Sequence, residues 1–235
     1  MRKVVITGGS RGIGLAIARA LMGAGYYAII VARKPPEEEV GASPHAFVAW
    51  DLSKIDALGE LATALRGRFG TIYGLVNNAG IGTSGILATM PVAEIIQVMQ
   101  INVVAPIALT RYLLRSMMKA SEGRVVNISS IVANTGYKGL SVYSASKAAL
   151  IGFTRSLARE VGELHITVNA VAPGFVATEM THGLDETQRR QISRRSALQR
   201  MPRAEDVASA VIFLMSDAAS NITGTVMTVD AGTTA

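Results

Sequence analysis

Cysteine is absent from the 235-residue sequence, which excludes disulfides, thiolate metal sites and a thiol nucleophile. That absence suits a reducing cytoplasm. The three histidines, His45, His165 and His182, stand alone without metal-ligand spacing, so no metal is expected. Aromatic residues amount to only 5%, and no helix-turn-helix, zinc-finger or aromatic-basic platform accompanies them. Nucleic acid is therefore not an expected partner, although the net charge is +6. No uninterrupted apolar run approaches the roughly 20 residues of a membrane span. After Met1-Arg2-Lys3 only Val4, Val5 and Ile6 precede a polar, glycine-rich stretch, so no signal peptide is expected. Repeats, low-complexity tracts and linkers are missing as well. The expectation is one soluble, cytoplasmic domain over residues 1–235, large enough to bury a substantial core.

What is present is an alternation of apolar strand-like runs with amphipathic stretches, the pattern of a parallel sheet covered on both faces. Strands are predicted at Lys3–Thr7, Ala28–Ala32, Ala46–Trp50, Ile72–Val76, Arg124–Ile128, Thr167–Val171 and Val226–Val229. Helices are predicted at Ile13–Gly23, Ile55–Arg66, Val92–Lys119, Val142–Val161 and Glu205–Ser216. The fold class is α/β: a doubly wound parallel sheet of about seven strands, an extended Rossmann fold. Two segments depart from the alternation. Lys34–His45, with Pro35, Pro36 and Pro44, is too short for a good helix plus its connections. Gly174–Pro202, polar and arginine-rich, reads as a mobile flap over a site.

Directly after the first strand comes Thr7-Gly8-Gly9-Ser10-Arg11-Gly12-Ile13-Gly14. A helix N-terminus offers unpaired N–H groups and partial positive charge, and glycines let a pyrophosphate approach the backbone. The spacing is G-x-x-x-G-x-G, not the usual G-x-G-x-x-G, so alone it is weak evidence and a plain tight turn is the alternative. Gly8, Ser10 and Gly12 also satisfy G-x-S-x-G, but a hydrolase nucleophile elbow needs earlier strands to supply an oxyanion donor. Ser144 and Lys147 fit S-x-x-K without the companion K-T-G, and no Gly-Lys-Ser/Thr closes a kinase-type P-loop.

Far downstream, Tyr143 and Lys147 lie four apart on a predicted helix, hence on one face, and Ser130 lies thirteen residues before Tyr143. A tyrosine of ordinary pKa near 10 exchanges protons poorly at neutral pH, and a nearby ammonium pulls that value down. Ser130 follows a strand at its carboxyl end, where parallel sheets build their sites, and its hydroxyl can hold a substrate oxygen. A proton-transfer group together with a dinucleotide seat points to hydride transfer between a nicotinamide and a carbonyl or alcohol.

These motifs, with Asn77-Asn78-Ala79-Gly80, Asn127-Ile128-Ser129-Ser130 and Pro173-Gly174 in order, resemble the short-chain dehydrogenase/reductase family over essentially the whole chain. The resemblance implies Tyr143 as general acid/base, Ser130 positioning the carbonyl, Lys147 lowering the tyrosine pKa and binding the nicotinamide ribose, and Asn102 holding a relay water. For the cofactor it implies Gly8, Ser10, Arg11, Gly12, Ile13 and Gly14 at the pyrophosphate, and Asp51, Leu52, Asn78, Ala79 and Gly80 along the adenine side of the cleft. Pro173, Gly174, Val176 and Thr178 are implied near the nicotinamide. Family members using NAD usually end the second strand on an acid; here Ala32 and Arg33 follow, with Arg11 nearby, which suits the 2′-phosphate of NADP(H).

Within the family the stretches Tyr143–Phe153, Ala172–Phe175 and Ser216–Gly224 are most similar to 3-oxoacyl-[acyl-carrier-protein] reductases. The implied substrate is a 3-oxoacyl thioester, with an acidic acyl carrier protein as a partner that Arg189, Arg190, Arg194, Arg195, Arg200 and Arg203 could attract. The alternative for those arginines is a solvated helix face paired with Asp185, Glu186, Glu205 and Asp206. Ser121, Glu122, Glu163 and Leu164 stand where such reductases often carry bases, although Lys119 and Arg124 are close. A small ketone or sugar substrate, and a non-catalytic NADP-binding regulator, are the other readings. Relatives commonly form homotetramers, for which the apolar helix around Met90–Met118 could supply a face.

Overall fold

Near-continuous apolar runs make strands that are buried on both sides, and here they pair in parallel throughout. The computed structural model describes residues 1–176 and 186–235. Its strands are β1 (Lys3–Thr7), β2 (Tyr27–Ala32), β3 (His45–Ala49), β4 (Gly74–Asn77), β5 (Gly123–Ile128), β6 (Ile166–Pro173) and β7 (Val226–Val229). They form one seven-stranded sheet in the order β3-β2-β1-β4-β5-β6-β7. Val5 aligns with Ile29 on one side and with Leu75 on the other. The strand order reverses direction between β1 and β4, and ligands of such sheets bind at the carboxyl ends around that point.

The helices are α1 (Gly12–Gly23), α2 (Leu58–Phe69), α3 (Val92–Met99), α4 (Ala105–Ala120), the single turn α5 (Val132–Thr135), α6 (Ser141–Val161), α7 (Glu186–Arg195) and α8 (Ala204–Met215). Because successive side chains alternate across a strand, Val4 and Ile6 face α1 and α8, packing with Ile17, Leu21, Val211 and Leu214. Val5, between them, faces the other layer with Leu61, Leu65, Leu109, Leu113 and Leu157. The segment Lys34–Pro44 contains no helix, as expected.

Two expectations need correction. The helix predicted as one piece over Val92–Lys119 is divided by a π-helical stretch, Gln100–Val104. Pro106 sits in the first turn of α4 and has no N–H to give the carbonyl of Asn102, so the α-helical ladder cannot run through this point. Secondly, the segment Gly174–Pro202 holds a helix that was not predicted, Glu186–Arg195, with Glu186 in its first turn, Arg194 and Arg195 in its last, and an Arg190–Glu186 ion pair at 2.6 Å. The helical run Val92–Ala120 is long and apolar enough to cross a membrane by length and composition, with mean hydropathy 1.7, although Glu94, Gln97, Gln100 and Asn102 interrupt it. Leu109, Leu113 and Met117 of this run are buried in the layer beneath the sheet.

Candidate active site

Thr7 ends β1 and fixes the loop that follows β4. Its hydroxyl accepts the N–H groups of Asn78 and Ala79, both at 3.0 Å. Asn78 returns its carboxamide to the glycine turn, donating to the carbonyls of Thr7 at 3.0 Å and Gly8 at 3.1 Å. The two loops are thus clamped together across the switch point. A Cβ on Gly14 would lie 2.2 Å from the Gly8 carbonyl oxygen, and one on Gly8 would lie 2.9 Å from the Cα of Ala79. Gly8 and Gly12 also have φ of 65° and 54°. α1 then begins at Gly12 without a side-chain cap and without an acid in its first turn. Its leading N–H groups face outward among exposed Arg11 and Gly12 and half-buried Ser10 and Ile13.

At the end of β2, Arg33 is exposed, and its charge helps hold the Asp51 carboxyl below the ordinary range. The larger cause is hydrogen bonding: Asp51 accepts from the N–H of Ser53 at 3.0 Å and its hydroxyl at 2.8 Å. β3 stops at Ala49, so Asp51 and Leu52 lie in the turn beyond the strand and not at its end. Cradle, uncapped helix start and two cations without a carboxylate at position 33 fit a dinucleotide carrying an extra phosphate.

The second cluster gathers at the carboxyl ends of β4 and β5. Ser130 follows β5, where its hydroxyl accepts the Val132 N–H at 3.4 Å, and it acts to lower the pKa of Tyr143 of α6. One turn further along α6, Lys147 is 4% exposed and donates from Nζ to the Ile128 carbonyl at 2.8 Å. Its Nζ lies 5.7 Å from the centroid of the Tyr143 ring. Ser129, the other serine of the pair, is fully occupied in structure, donating to the Lys147 carbonyl at 2.9 Å. Ser144 is likewise spent on the Val132 carbonyl at 2.6 Å.

Asn102, in the π-helical stretch, is completely buried. It accepts from the Ile81 N–H at 2.8 Å and donates to the Ile81 carbonyl at 2.9 Å and to Ser146 Oγ at 3.0 Å. Ser146 in turn donates to the Tyr143 carbonyl at 2.7 Å. The break between α3 and α4 therefore turns Asn102 toward α6, as π-bulges often do at functional sites. Gly80 lets the loop after β4 approach both groups: a Cβ there would stand 3.2 Å from Asn102 Oδ1 and 3.4 Å from Lys147 Nζ.

Electrostatics differ from the expectation that Lys147 pulls Tyr143 down. Burial pushes Tyr143 up to about 12, against a smaller lowering by Ser130. Burial also depresses Lys147 to about 8. Helical spacing put the two groups on one face, but it could not report that both are desolvated.

Past β6, Pro173 accepts the Ile131 N–H at 3.0 Å and Gly174 donates to Val229 at 2.9 Å, which ties the Ser130 loop to the sheet edge. The Val176 side chain is buried in the core. Thr178 lies outside the described residues. Among residues the motifs left unassigned, Thr7 and Ser146 hold the site together. Position was the available signal, since each adjoins a motif residue and has a small hydroxyl.

A doubly wound sheet with a glycine cradle at its switch point, and a Ser–Tyr–Lys–Asn group beside it, defines an oxidoreductase domain of the Rossmann type. The family model described as enoyl-(acyl carrier protein) reductase matches residues 8–234. The 3-oxoacyl-[acyl-carrier-protein] reductase FabG of Haemophilus influenzae is 40% identical over 97% of this chain and 96% of its own length. Two solved structures described as gluconate 5-dehydrogenases superpose closely. That of Beutenbergia cavernae, with bound NADP at low occupancy, has a TM-score of 0.95 at 33% identity, covering 99% of this chain and 96% of its own. That of Burkholderia cenocepacia, in complex with NADP and tartrate, has a TM-score of 0.93 at 27% identity, covering 99% and 95%. The chain belongs to the short-chain dehydrogenase/reductase family.

Proposed function

We propose that the protein is an NADP(H)-dependent reductase that turns a ketone into a secondary alcohol, with a 3-oxoacyl thioester of acyl carrier protein or coenzyme A as substrate. The observation that carries the chemistry is buried Lys147 with its Nζ 5.7 Å from the centroid of the Tyr143 ring, beside Ser130 at the carboxyl end of β5. The FabG relative and the NADP-bound neighbours support substrate class and cofactor respectively.

The nicotinamide would supply the hydride for the carbonyl carbon. Ser130 and Tyr143 hydroxyls would hold the carbonyl oxygen between them. With its pKa near 12, Tyr143 is protonated at neutral pH and ready to donate to the developing alkoxide. The phenolate left behind is stabilised by the Lys147 ammonium, and Asn102 would hold the water through which the proton is replaced. Gly8, Ser10, Arg11, Gly12, Ile13 and Gly14 would seat the pyrophosphate, Arg11 and Arg33 the 2′-phosphate, and Lys147 the nicotinamide ribose. Asp51, Leu52, Asn78, Ala79 and Gly80 would line the adenine side, and Pro173, Gly174 and Val176 the nicotinamide side.

A second reading, reduction or oxidation of a small sugar or hydroxy acid, is favoured by the gluconate 5-dehydrogenase neighbours. A non-catalytic NADP-binding role is the least supported, because the whole Asn102–Ser130–Tyr143–Lys147 group is intact. An acidic carrier would meet Arg194 and Arg195, which are exposed and without ion pairs among the described residues. Arg190, Arg200 and Arg203 are instead paired with Glu186 and Asp206. Arg124 is 5% exposed and out of a partner's reach. We further infer a cytoplasmic homotetramer, since Val92, Ile96, Val104 and Met118 leave an apolar face open; a monomeric mass in solution would refute it.

The test is the initial rate of NADPH oxidation with acetoacetyl-coenzyme A, beside Tyr143→Phe. A rate that falls by about 10²–10⁴ in the variant supports thioester reduction through Tyr143. No rate with NADPH still bound removes the substrate assignment.

A further inference from the structure

The loops that follow β4, α5 and β6 are joined at the carboxyl edge of the sheet by one aromatic contact and one backbone hydrogen bond. Gly136, with φ of 66°, turns the chain after α5 and presents Tyr137, whose ring lies edge-on to Phe175 at 5.5 Å and 65°. Gly139 accepts the Gly85 N–H at 2.9 Å, joining the same turn to the loop after β4. Next to Gly85, Ile86 and Leu87 are 68% and 54% exposed, and Tyr137 is 52% exposed. These loops are poor in charge. Residues 81–90 and 174–176 contain none, and residues 131–142 contain only Lys138. A polyol acid needs a cation and many hydrogen-bond partners, whereas an apolar mouth gains by covering methylenes.

We propose that Tyr137 and Phe175 form the wall that takes the alkyl arm of the substrate, and that this pair makes the enzyme prefer longer, unbranched 3-oxo chains. The inference rests on carbonyl reduction at Ser130 and Tyr143. Being half-exposed in the free protein, the Tyr137 ring has apolar surface left to bury on a chain, and its T-shaped contact with Phe175 holds it in place.

The experiment measures kcat/KM for ethyl 3-oxobutanoate and ethyl 3-oxooctanoate with NADPH, in wild type, Tyr137→Ala, Phe175→Ala and Tyr137→Phe. The wild type should favour the longer ester. Tyr137→Ala should reduce that preference about tenfold, the equivalent of roughly two buried methylenes. Tyr137→Phe should keep it within about twofold, because ring area and not the hydroxyl makes the wall. Since Tyr137 lies outside the core, its truncation tests the wall even if Phe175→Ala fails to fold. An unchanged preference in Tyr137→Ala overturns the inference, as does a wild type that reduces neither ester. Acetoacetyl-coenzyme A in parallel separates the two claims: esters reduced with the expected preference while the thioester stays inert would sink the thioester reading and keep the wall.

Discussion

Lys147→Met should abolish reduction yet make the free protein more stable. The ammonium is buried, and Nζ has the Ile128 carbonyl at 2.8 Å as its hydrogen-bond acceptor, with no carboxylate paired to it among the described residues. Its fall from 10.5 to about 8 is caused by desolvation. At roughly 1.4 kcal/mol for each tenfold change, this corresponds to a cost of about 3 kcal/mol for keeping the charge inside. Methionine fills a similar volume without that cost but forfeits one hydrogen bond worth about 1 kcal/mol. A net gain of about 2 kcal/mol near neutral pH should raise Tm by roughly 4–8 °C in a domain of this size.

The pH dependence is the sharper part. Below a pH of about 8 the lysine is charged in both states and the full cost is present. Between about 8 and 10.5 the unfolded chain binds the proton that the folded protein has released, so wild-type stability rises with pH. The advantage of the methionine variant should therefore shrink through that window. Tyr143, raised from 10.0 to about 12, acts the other way: its contribution is present below 10.0 and is lost as pH climbs toward 12. Thermal unfolding of both proteins from pH about 6 to about 9.5 stays clear of the tyrosine. A variant less stable than wild type at neutral pH, or a difference that does not move with pH, would refute the reasoning.

Gly14→Ala forces a methyl against the Gly8 carbonyl, whereas Gly67→Ala in α2 meets nothing within 4 Å. The first should cost about 1–3 kcal/mol and weaken NADPH binding, and the second should gain about 0.5–1 kcal/mol, both readable by thermal unfolding. Arg33→Ala should raise the NADPH dissociation constant about tenfold or more while leaving NADH nearly unchanged, measured by nicotinamide fluorescence; equal losses for both would remove Arg33 from the 2′-phosphate. Asn102→Ala orphans the Ile81 N–H and carbonyl at once and should cost about 3 kcal/mol of stability as well as turnover, checked by unfolding and initial rates.

What could be read in the sequence follows from how local each signal is. β1 was placed to the residue because a buried parallel strand is written as one apolar run, Val4 to Ile6. Glycine spacing likewise announces a turn, since only a residue without Cβ tolerates a Gly8 carbonyl 2.2 Å away. α7 went unread for the opposite reason: its ten residues contain one aliphatic side chain, Ile192, so no apolar stripe marks it, and charge spacing alone makes the helix. The π-helical stretch is intermediate. Pro106 marks a break in the ladder, but what turns the break toward α6 is the bonding of Asn102 to Ile81 and Ser146, contacts across 21 and 44 residues. Dielectric is the least local of all. Tyr143 and Lys147 advertise their shared face by number, while the burial that pushes one up to about 12 and the other down to about 8 is the product of every neighbouring loop. The same burial bears on the pH profile. A protonated Tyr143 is set to donate at neutral pH, whereas alcohol oxidation, which needs the phenolate as base, should quicken as pH rises until the tyrosine titrates.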